Sequence, residues 1–539
     1  MKQAKVLFLF LLLSGLFSLS AQEFFPQSPE VKVLEDAYLQ AGRVSPLTSF
    51  PVGRVTLQRF YEDLGLTLPL EVRNSHFYAG TWFDGNLSSQ EILAEPDAPR
   101  SGIDIRRAWV DRAPFLRLGA TLDSGSGLMA ALEMEGKTVW TSDWTNAHNW
   151  PKDGGPGLGY RFESQLLARS VLAYDVGGLR FSFGRSPVHI GASQIYGFYP
   201  TDILPYLDAL RLEARFGRWD LFYMLGSFHP VRSWEGDNFD IGFGDPINEY
   251  DWVWNGDSPV PIFYSMHRLQ FTGEKFRFAV ADQLFMARPN SGLEFNDIFP
   301  FGAWHGTDFF PDNLSMMIDL SWAFAPGFVL HGAAAYDDIS SDSFGVADSL
   351  VPTVDAYLLG LEHSARTEAL SARSVLQAGY THYLFGNYDA QTTAGGGFPY
   401  DMPLSRYIAR YYMEGTKGFL LPFNTPYGPG SLWLDLKSRV DFTTVPLKVG
   451  LDLLVLSKNT QANFITTPFE RSTTVENAPR RLWVELGIPV STKIPTVVGQ
   501  FSAEVRPSIV AADGRVAGTL DVLVGMEFGQ TTGSHRDGP

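Results

Sequence analysis

The chain has 539 residues, room for several ordinary domains or for one very large β structure, so length leaves the domain count open. With 19% charged and 14% aromatic residues and 52 glycines, it lacks the Glu/Lys/Arg surface of a soluble helical enzyme and is rich in turn formers and rings. A formal charge of −17 argues against a polyanion held by bulk attraction, so no nucleic-acid partner is expected, although local basic patches remain open.

Residues 1–21 begin with Lys2 and Lys5, pass through the apolar run VLFLFLLL at 6–13, and end in small residues around Ser18, Ser20 and Ala21. This is the layout of a secretory signal peptide, and it predicts export. Its removal takes away two lysines, so the −17 of the whole becomes −19 in the mature chain. With no cysteine there is neither a disulfide nor an N-terminal lipid attachment, and any hold on a membrane must come from the fold itself.

Residues 22–70 differ from the rest of the chain. Val31, Val33-Leu34, Ala37-Tyr38-Leu39 and Ala41 recur at helical spacing; Ser45-Pro46 and Pro51 interrupt; a second candidate helix runs from Val55 to Leu64 and is closed by Gly65. The pair is too small to bury a core alone and is expected to pack on the periplasmic end of the strand-rich region beyond residue 70.

From 71 to 528 the chain reads as strands, roughly eighteen of them. Leu116, Leu118 and Leu122 alternate with Arg117, Thr121 and Asp123; Leu210, Leu212 and Ala214 face away from Arg211, Glu213 and Arg215; Leu447 and Leu451 oppose Lys448 and Asp452. The stretch DNLSMMIDLSWAF at 312–324 puts Leu314, Met316, Ile318, Leu320, Trp322 and Phe324 on one face, and Ser315, Met317, Asp319, Ser321 and Ala323 on the other. In the last segment Leu520, Val522, Val524, Met526 and Phe528 share a face, with Leu523 the exception on the other; residues 529–539 form a tail.

Alternation alone does not separate a membrane barrel from a soluble sandwich, but the connections do. Short turns at 216–220 and 325–327 contrast with long insertions at Lys137–Tyr160, Phe228–Val260 and Phe385–Arg406. That asymmetry, with no apolar run long enough for a transmembrane helix and aromatics near strand ends (Trp322, Phe324, Phe328, Tyr336, Tyr383, Phe528), predicts an all-β outer-membrane barrel of about eighteen antiparallel strands.

Several stretches resemble the outer-membrane capsule-assembly family, the Wzi-type surface lectins of Gram-negative bacteria. They are Gly184-Arg-Ser-Pro-Val-His-Ile-Gly191 with Asp202–Asp208, His267-Arg-Leu269, and Asn296–Pro300 with Asp312-Asn313, Asp319 and Tyr336-Asp-Asp338. The resemblance implies a monomeric barrel with a helical element at its periplasmic mouth, binding or anchoring surface polysaccharide without hydrolysing it. Two departures stand out: Pro187–Ser193 replaces the family's Trp-Gly-Pro-Gly-like segment, and eleven residues lie beyond Phe528.

Two loops combine ring faces with amides and carboxylates, the mixture that sugars use. Their tryptophans, Trp140, Trp144, Trp150, Trp234, Trp252 and Trp254, together with Arg185 and His189, are the candidate glycan contacts; the alternative is that these loops only close the outer mouth. Arg211, Glu213, Arg215, Arg268, Asp319, Asp337 and Asp452 are expected to face the lumen, because a charge facing lipid at the midplane costs roughly 2–4 kcal/mol; a network of inward salt bridges is the commoner reason for any one of them, ahead of a glycan or solute path. Asp312, Asn313, Asp337 and Asp338 carry oxygen ligands of the kind calcium takes, but without EF-hand spacing, and a wetted strand end explains them too. No metal or cofactor is expected. Gly395-Gly-Gly397 precedes no helix, and the common catalytic motifs are missing, so no enzyme is expected. His189, Ser193, His267, His331 and His363 are the groups a barrel enzyme would use. The expected function is glycan binding at the outer membrane, among outer-membrane lipid; the alternatives are a diffusion channel and, third, a barrel enzyme.

Overall fold

In the computed structural model the described residues are 23–68, 75–88, 113–124, 127–141, 159–201, 204–231, 253–254, 258–287, 293, 295–300, 312–338, 353–386, 408–412, 418–423, 425, 427–462, 472–512 and 514–528. From Ser75 onward their long strands form one closed antiparallel barrel of eighteen staves. The first five are β1 (Ser75–Ser88), β2 (Leu116–Asp123), β3 (Leu128–Thr141), β4 (Gly159–Val176) and β5 (Leu179–Ser186). Then come β6 (Leu207–Phe216), β7 (Trp219–Val231), β8 (Ser258–Thr272), β9 (Phe276–Ala287), β10 (Asp312–Ala325) and β11 (Phe328–Asp338). The circuit continues through β12 (Val354–Arg366), β13 (Leu370–Thr381), β14 (Ser431–Phe442) and β15 (Leu447–Asn459). Stave β16 is split into Arg480–Gly487 and Val490–Pro495, both halves pairing with β15 and with β17 (Gln500–Ala512). Pro489 sits at the break, where its missing N–H would leave a gap in an unbroken ladder. Finally β18 (Arg515–Phe528) pairs with β1, from Thr519 opposite Ser88 to Phe528 opposite Ala79, and leaves no open edge.

Parity along β10 settles which face meets lipid. Met316, Ile318, Leu320, Trp322 and Phe324 are 45–60% exposed, while Ser315, Met317, Asp319, Ser321 and Ala323 are at 8% or less. An exposed apolar row over a buried polar one inverts a soluble protein's pattern and is what lipid outside and a filled interior demand. Rings gather where the short turns lie: Trp219 on Phe271 (5.1 Å), Phe324 on Phe328 (5.7 Å) and Phe328 on His363 (4.4 Å). Tyr336, Tyr357 and Tyr380 make the opposite belt, Tyr357 and Tyr380 stacked at 6.5 Å. Phe328 and Tyr336 are eight residues apart on β11, about 26 Å at the rise of a strand, enough for a tilted stave to cross the hydrocarbon.

Two expectations need adjusting. Tyr383 is no belt residue: it is 7% exposed, and its hydroxyl accepts from Ser472 N at 3.1 Å, on the inner side of the outer end. The long insertions also begin later than the alternation suggests, since β3 and β4 stay paired to Thr141 and Gly159, and β7 and β8 to Val231 and Val260. Above the membrane neither face of a ribbon meets lipid, so the backbone ladder continues where the apolar pattern stops.

Inside the short-turn end sits the N-terminal element. Helix α1 (Pro29–Gln40) starts with proline in its first turn after Ser28, and α2 (Arg54–Asp63) comes after a short strand pair, Glu23–Phe24 with Val52–Gly53. The second helix starts one residue earlier than its apolar spacing implies and ends before Gly65, whose φ is +68. Phe24, Val31, Leu34, Tyr38, Phe50, Leu57 and Tyr61 give the element its own core. It docks through Leu39 and Val44 against Ala323 and Val329, and through Val44 N to Glu274 O (2.9 Å) and Gly327 N to Leu39 O (2.7 Å), which puts it inside the short-turn end of the barrel.

Candidate functional site

The lumen is the site to explain, because the described residues fill it from both ends. Residues 187–206, between β5 and β6, leave the long-loop end and fold inward instead of outward. Val188, Ile190, Ile195, Phe198, Tyr199, Leu204 and Tyr206 line this segment with apolar groups, and all are buried. Phe198 meets Phe385 at 5.6 Å, and Tyr264 and Phe285 meet Phe423 at 4.5 and 4.8 Å. Gly360 lets the segment touch the wall: a Cβ there would lie 2.8 Å from Ile195 Cδ1. At its start, His189–Ile190 pairs as a strand with Ser49–Phe50 of the N-terminal element, so inward segment and helical element are one continuous plug.

Buried charge ties the plug to the wall at three places. Arg268 (β8) donates to Asp319 (β10) at 2.9 and 3.2 Å, Tyr199 of the inward segment donates to the same carboxylate at 2.9 Å, and Arg268 also reaches Thr48 at 3.0 Å. Wall, inward segment and N-terminal element therefore meet at one carboxylate. At the second place Arg169 and Arg180 both donate to Glu23, Arg180 also pairs with Asp175 at 2.7 Å, and Ser49 donates to Glu213 at 3.0 Å, itself paired with Arg211 at 2.9 Å. Burial pushes the Glu23 carboxyl up, but Arg180 and Arg169 on either side outweigh it and hold the group below the usual carboxylate value.

The third place has the opposite balance. Arg373 (β13) lies 3.0 Å from Glu35, 3.6 Å from Asp36 and against Glu362, so one guanidinium serves three carboxylates; Ser193 donates to Glu35 at 2.6 Å. Burial raises the Glu35 carboxyl against the pull of Arg373, and Glu362 adds to the rise; burial raises Asp36 as well. An acid with a raised folded-state pKa keeps its proton to higher pH in the folded state, so its contribution is most favourable at acid pH. It declines as pH climbs from the ordinary 4.5 through the raised value. Protection of the α1 amides, corrected for intrinsic exchange, is expected to fall as pH rises above about 4.5 in the wild type and to fall less in Glu35→Gln; parallel profiles would dismiss Glu35 as the cause.

Next to Arg373 lies a relay with the outline of a hydrolase triad. Arg277 donates to Ser321 Oγ (2.7 Å), Ser321 reaches His331 Nδ1 (2.8 Å), and His331 Nε2 reaches Glu362 (3.2 Å). Yet Ser321 is 1% exposed, and Arg277 occupies its oxygen, so no scissile bond can approach it. The relay serves as a positioning chain for Glu362. His267 bridges Asp282 (2.7 Å) and the carbonyl of Phe299 (2.8 Å), pinning residues 295–300 to the wall. His363 packs on Phe328, Ser193 serves Glu35, and His189 Nε2 faces Ala192 O at 3.0 Å. The candidate catalytic groups are thus dispersed into structural roles.

The residues named for the lumen are engaged with neighbouring polar groups. Besides those above, Arg215 pairs with Asp220 (2.6 Å), Asp337 accepts from Gly386 N (2.8 Å), and Asp452 takes Arg506 at 3.3 Å. Of the candidate glycan contacts, Arg185 is committed to Asp208 in a bidentate pair at 2.7 Å and lies 4.0 Å from the Tyr206 ring centroid, while His189 is buried inside the plug. Trp144, Trp150, Trp234 and Trp252 lie outside the described residues, as do the side chains of Trp140 and Trp254, those of Asp312 and Asp338, and Gly395-Gly-Gly397. Among the described residues no cluster of three metal-type ligands occurs. Glu35, Arg373 and Glu362 are absent from the sequence-based candidates: an acid on a helix and an arginine 338 positions away carry no local signal.

No protein-family model matches the chain, and no curated protein matches it by sequence. Among solved structures it is similar to Wzi of Escherichia coli, described as an outer-membrane protein involved in group 1 capsule assembly and a carbohydrate-binding β-barrel. The match has 12% identity, covers 91% of this chain and 97% of that one, and has a TM-score of 0.51. A second neighbour, OccD3 (OpdP) of Pseudomonas aeruginosa, has 9% identity, 85% and 92% coverage, and a TM-score of 0.43. Of the stretches that carry the resemblance, those of Arg268 and Asp319 meet, and Tyr199, between 184–191 and 202–208, donates to the same Asp319 carboxylate. In fold the chain is an eighteen-strand outer-membrane β-barrel similar to that of Wzi, with its lumen occupied by its own inward segment and N-terminal helices.

Proposed function

We propose that the protein is exported by residues 1–21, resides in the outer membrane as a monomer, and binds or anchors surface polysaccharide through its long-loop end. The observation that carries this reading is the occupied lumen: a plug with an apolar core, charged ties to the wall and a strand pair between its two parts is built to stay. Such a barrel has little to offer a diffusing solute, whereas it holds its outer loops rigidly for a ligand that remains outside. The likeness to a carbohydrate-binding barrel supports the same reading. Trp140, Trp144, Trp150, Trp234, Trp252 and Trp254 are the proposed ring faces, each worth about 0.5–1.5 kcal/mol by stacking. Arg185, paired with Asp208 in the wall, and His189, buried in the plug, would act by holding the loop bases.

Replacing Trp144, Trp150, Trp234 and Trp252 together with alanine is expected to weaken retention on an immobilised surface polysaccharide at least tenfold, about 1.4 kcal/mol. Unchanged retention, or no retention of the wild type on any surface glycan, would sink the proposal.

A further inference from the structure

Between α1, the tip of the inward segment and the inner wall of β13–β18 lies a cavity of about 300 Å3, at the lower end of volumes that hold small ligands. Many of its wall residues, Ser371, Lys448, Lys493 and Ser502 among them, belong to strand ends beside the short turns, so it belongs to the periplasmic half. Six basic side chains line it against four acidic ones, in a chain whose overall charge is −17. Arg373 and Arg439 are fixed in the wall by Glu362 and Asp452. Lys437 lies 4.0 Å from Asp435, with its ammonium 4.7 Å over the Tyr196 ring centroid and 3.1 Å from the Tyr196 hydroxyl, so a cation and a ring stand side by side. Lys448 pairs with Asp441 at 3.2 Å with both side chains more than 40% exposed. A pair that wet is largely screened by water, and a ligand carboxylate can take the place of Asp441 at little cost. Leu523, the apolar exception on the inward face of β18, also lines the cavity. Cations beside ring and apolar faces suit a molecule with carboxylates on a C–H-rich frame.

We propose that this cavity is a second glycan site, facing the periplasm, that takes a short acidic saccharide. The proposal deepens the glycan reading above and rests on it. Full-length protein in detergent micelles is titrated calorimetrically with trigalacturonate, with maltotriose as the neutral match and inorganic phosphate as the bare anion. Trigalacturonate is expected to bind, to bind more weakly as salt is raised, and to lose at least tenfold in Lys448→Gln/Lys493→Gln, whose folding is checked by heat-modifiable mobility on gels. Absence of binding, equal binding of maltotriose, phosphate binding as tight as the saccharide's, or full affinity in the double variant would each overturn it. The four-tryptophan variant separates the two sites. If trigalacturonate affinity falls there and not in the lysine variant, the periplasmic site is refuted and the outer one stands; if no surface polysaccharide binds the wild type, the outer reading fails and the titration decides the cavity by itself.

Discussion

Arg373→Met is expected to release the N-terminal element from the barrel while the barrel itself stays folded. The substitution leaves Glu35, Asp36 and Glu362 facing one another without their shared cation, and loss of one partner from a buried ionic cluster costs about 3–5 kcal/mol. The wall of β12–β14 keeps its backbone ladder, so the cost falls on the weaker contact, the docking of α1. Limited proteolysis within 23–68 is therefore expected to accelerate more than a hundredfold, with unchanged heat-modifiable mobility of the barrel. Adding Glu35→Gln should return part of the protection, since it removes one of the stranded charges; Arg373→Lys should restore less than full protection, because an ammonium does not span three carboxylates as a guanidinium does. Proteolysis at the wild-type rate in Arg373→Met would show that apolar contacts through Leu39 and Val44 suffice alone.

The second large effect concerns conductance. In planar bilayers the wild type is expected to show no stepwise openings. Removing residues 28–68 alone should leave it closed, because Phe198 and Tyr199 still pack among Phe385, Tyr264 and Phe423 at the opposite half. Removing 28–68 and replacing 192–203 with a short Gly-Ser link should yield discrete steps, since an eighteen-strand barrel without filling is wide enough for water. Steps in the wild type would restore the channel reading, and a silent double deletion would place the closure in other segments.

The barrel was legible because lipid and lumen impose opposite rules on successive residues, and DNLSMMIDLSWAF obeys both. Asp319, conspicuous in an apolar run, turns out to hold Arg268, Tyr199 and, through Arg268, Thr48 together. Leu523 broke the pattern for a reason of the same kind, since its neighbour is the cavity rather than the polar network. The plug was only half legible. Residues 30–65 announce helices, but 187–206 reads as a proline- and glycine-bearing loop, and nothing local tells a loop that folds inward from one that folds outward. Tyr383 was misplaced for that reason: an aromatic at a strand end fits a membrane belt and an inner packing site equally well, and only the pairing of distant segments decides.

The strand pair between Ser49–Phe50 and His189–Ile190 has a bearing on the order of assembly. The helices leave the ribosome first, yet the partners that fix them come much later: His189 on the inward segment, Arg268 on β8, and Arg373 on β13, which reaches its place only when the stave beside it has formed. Contacts of such sequence separation are slow to make. The earliest part of the chain then cannot lock until the thirteenth stave is in place, and the mouth closes only late in the building of the wall around it.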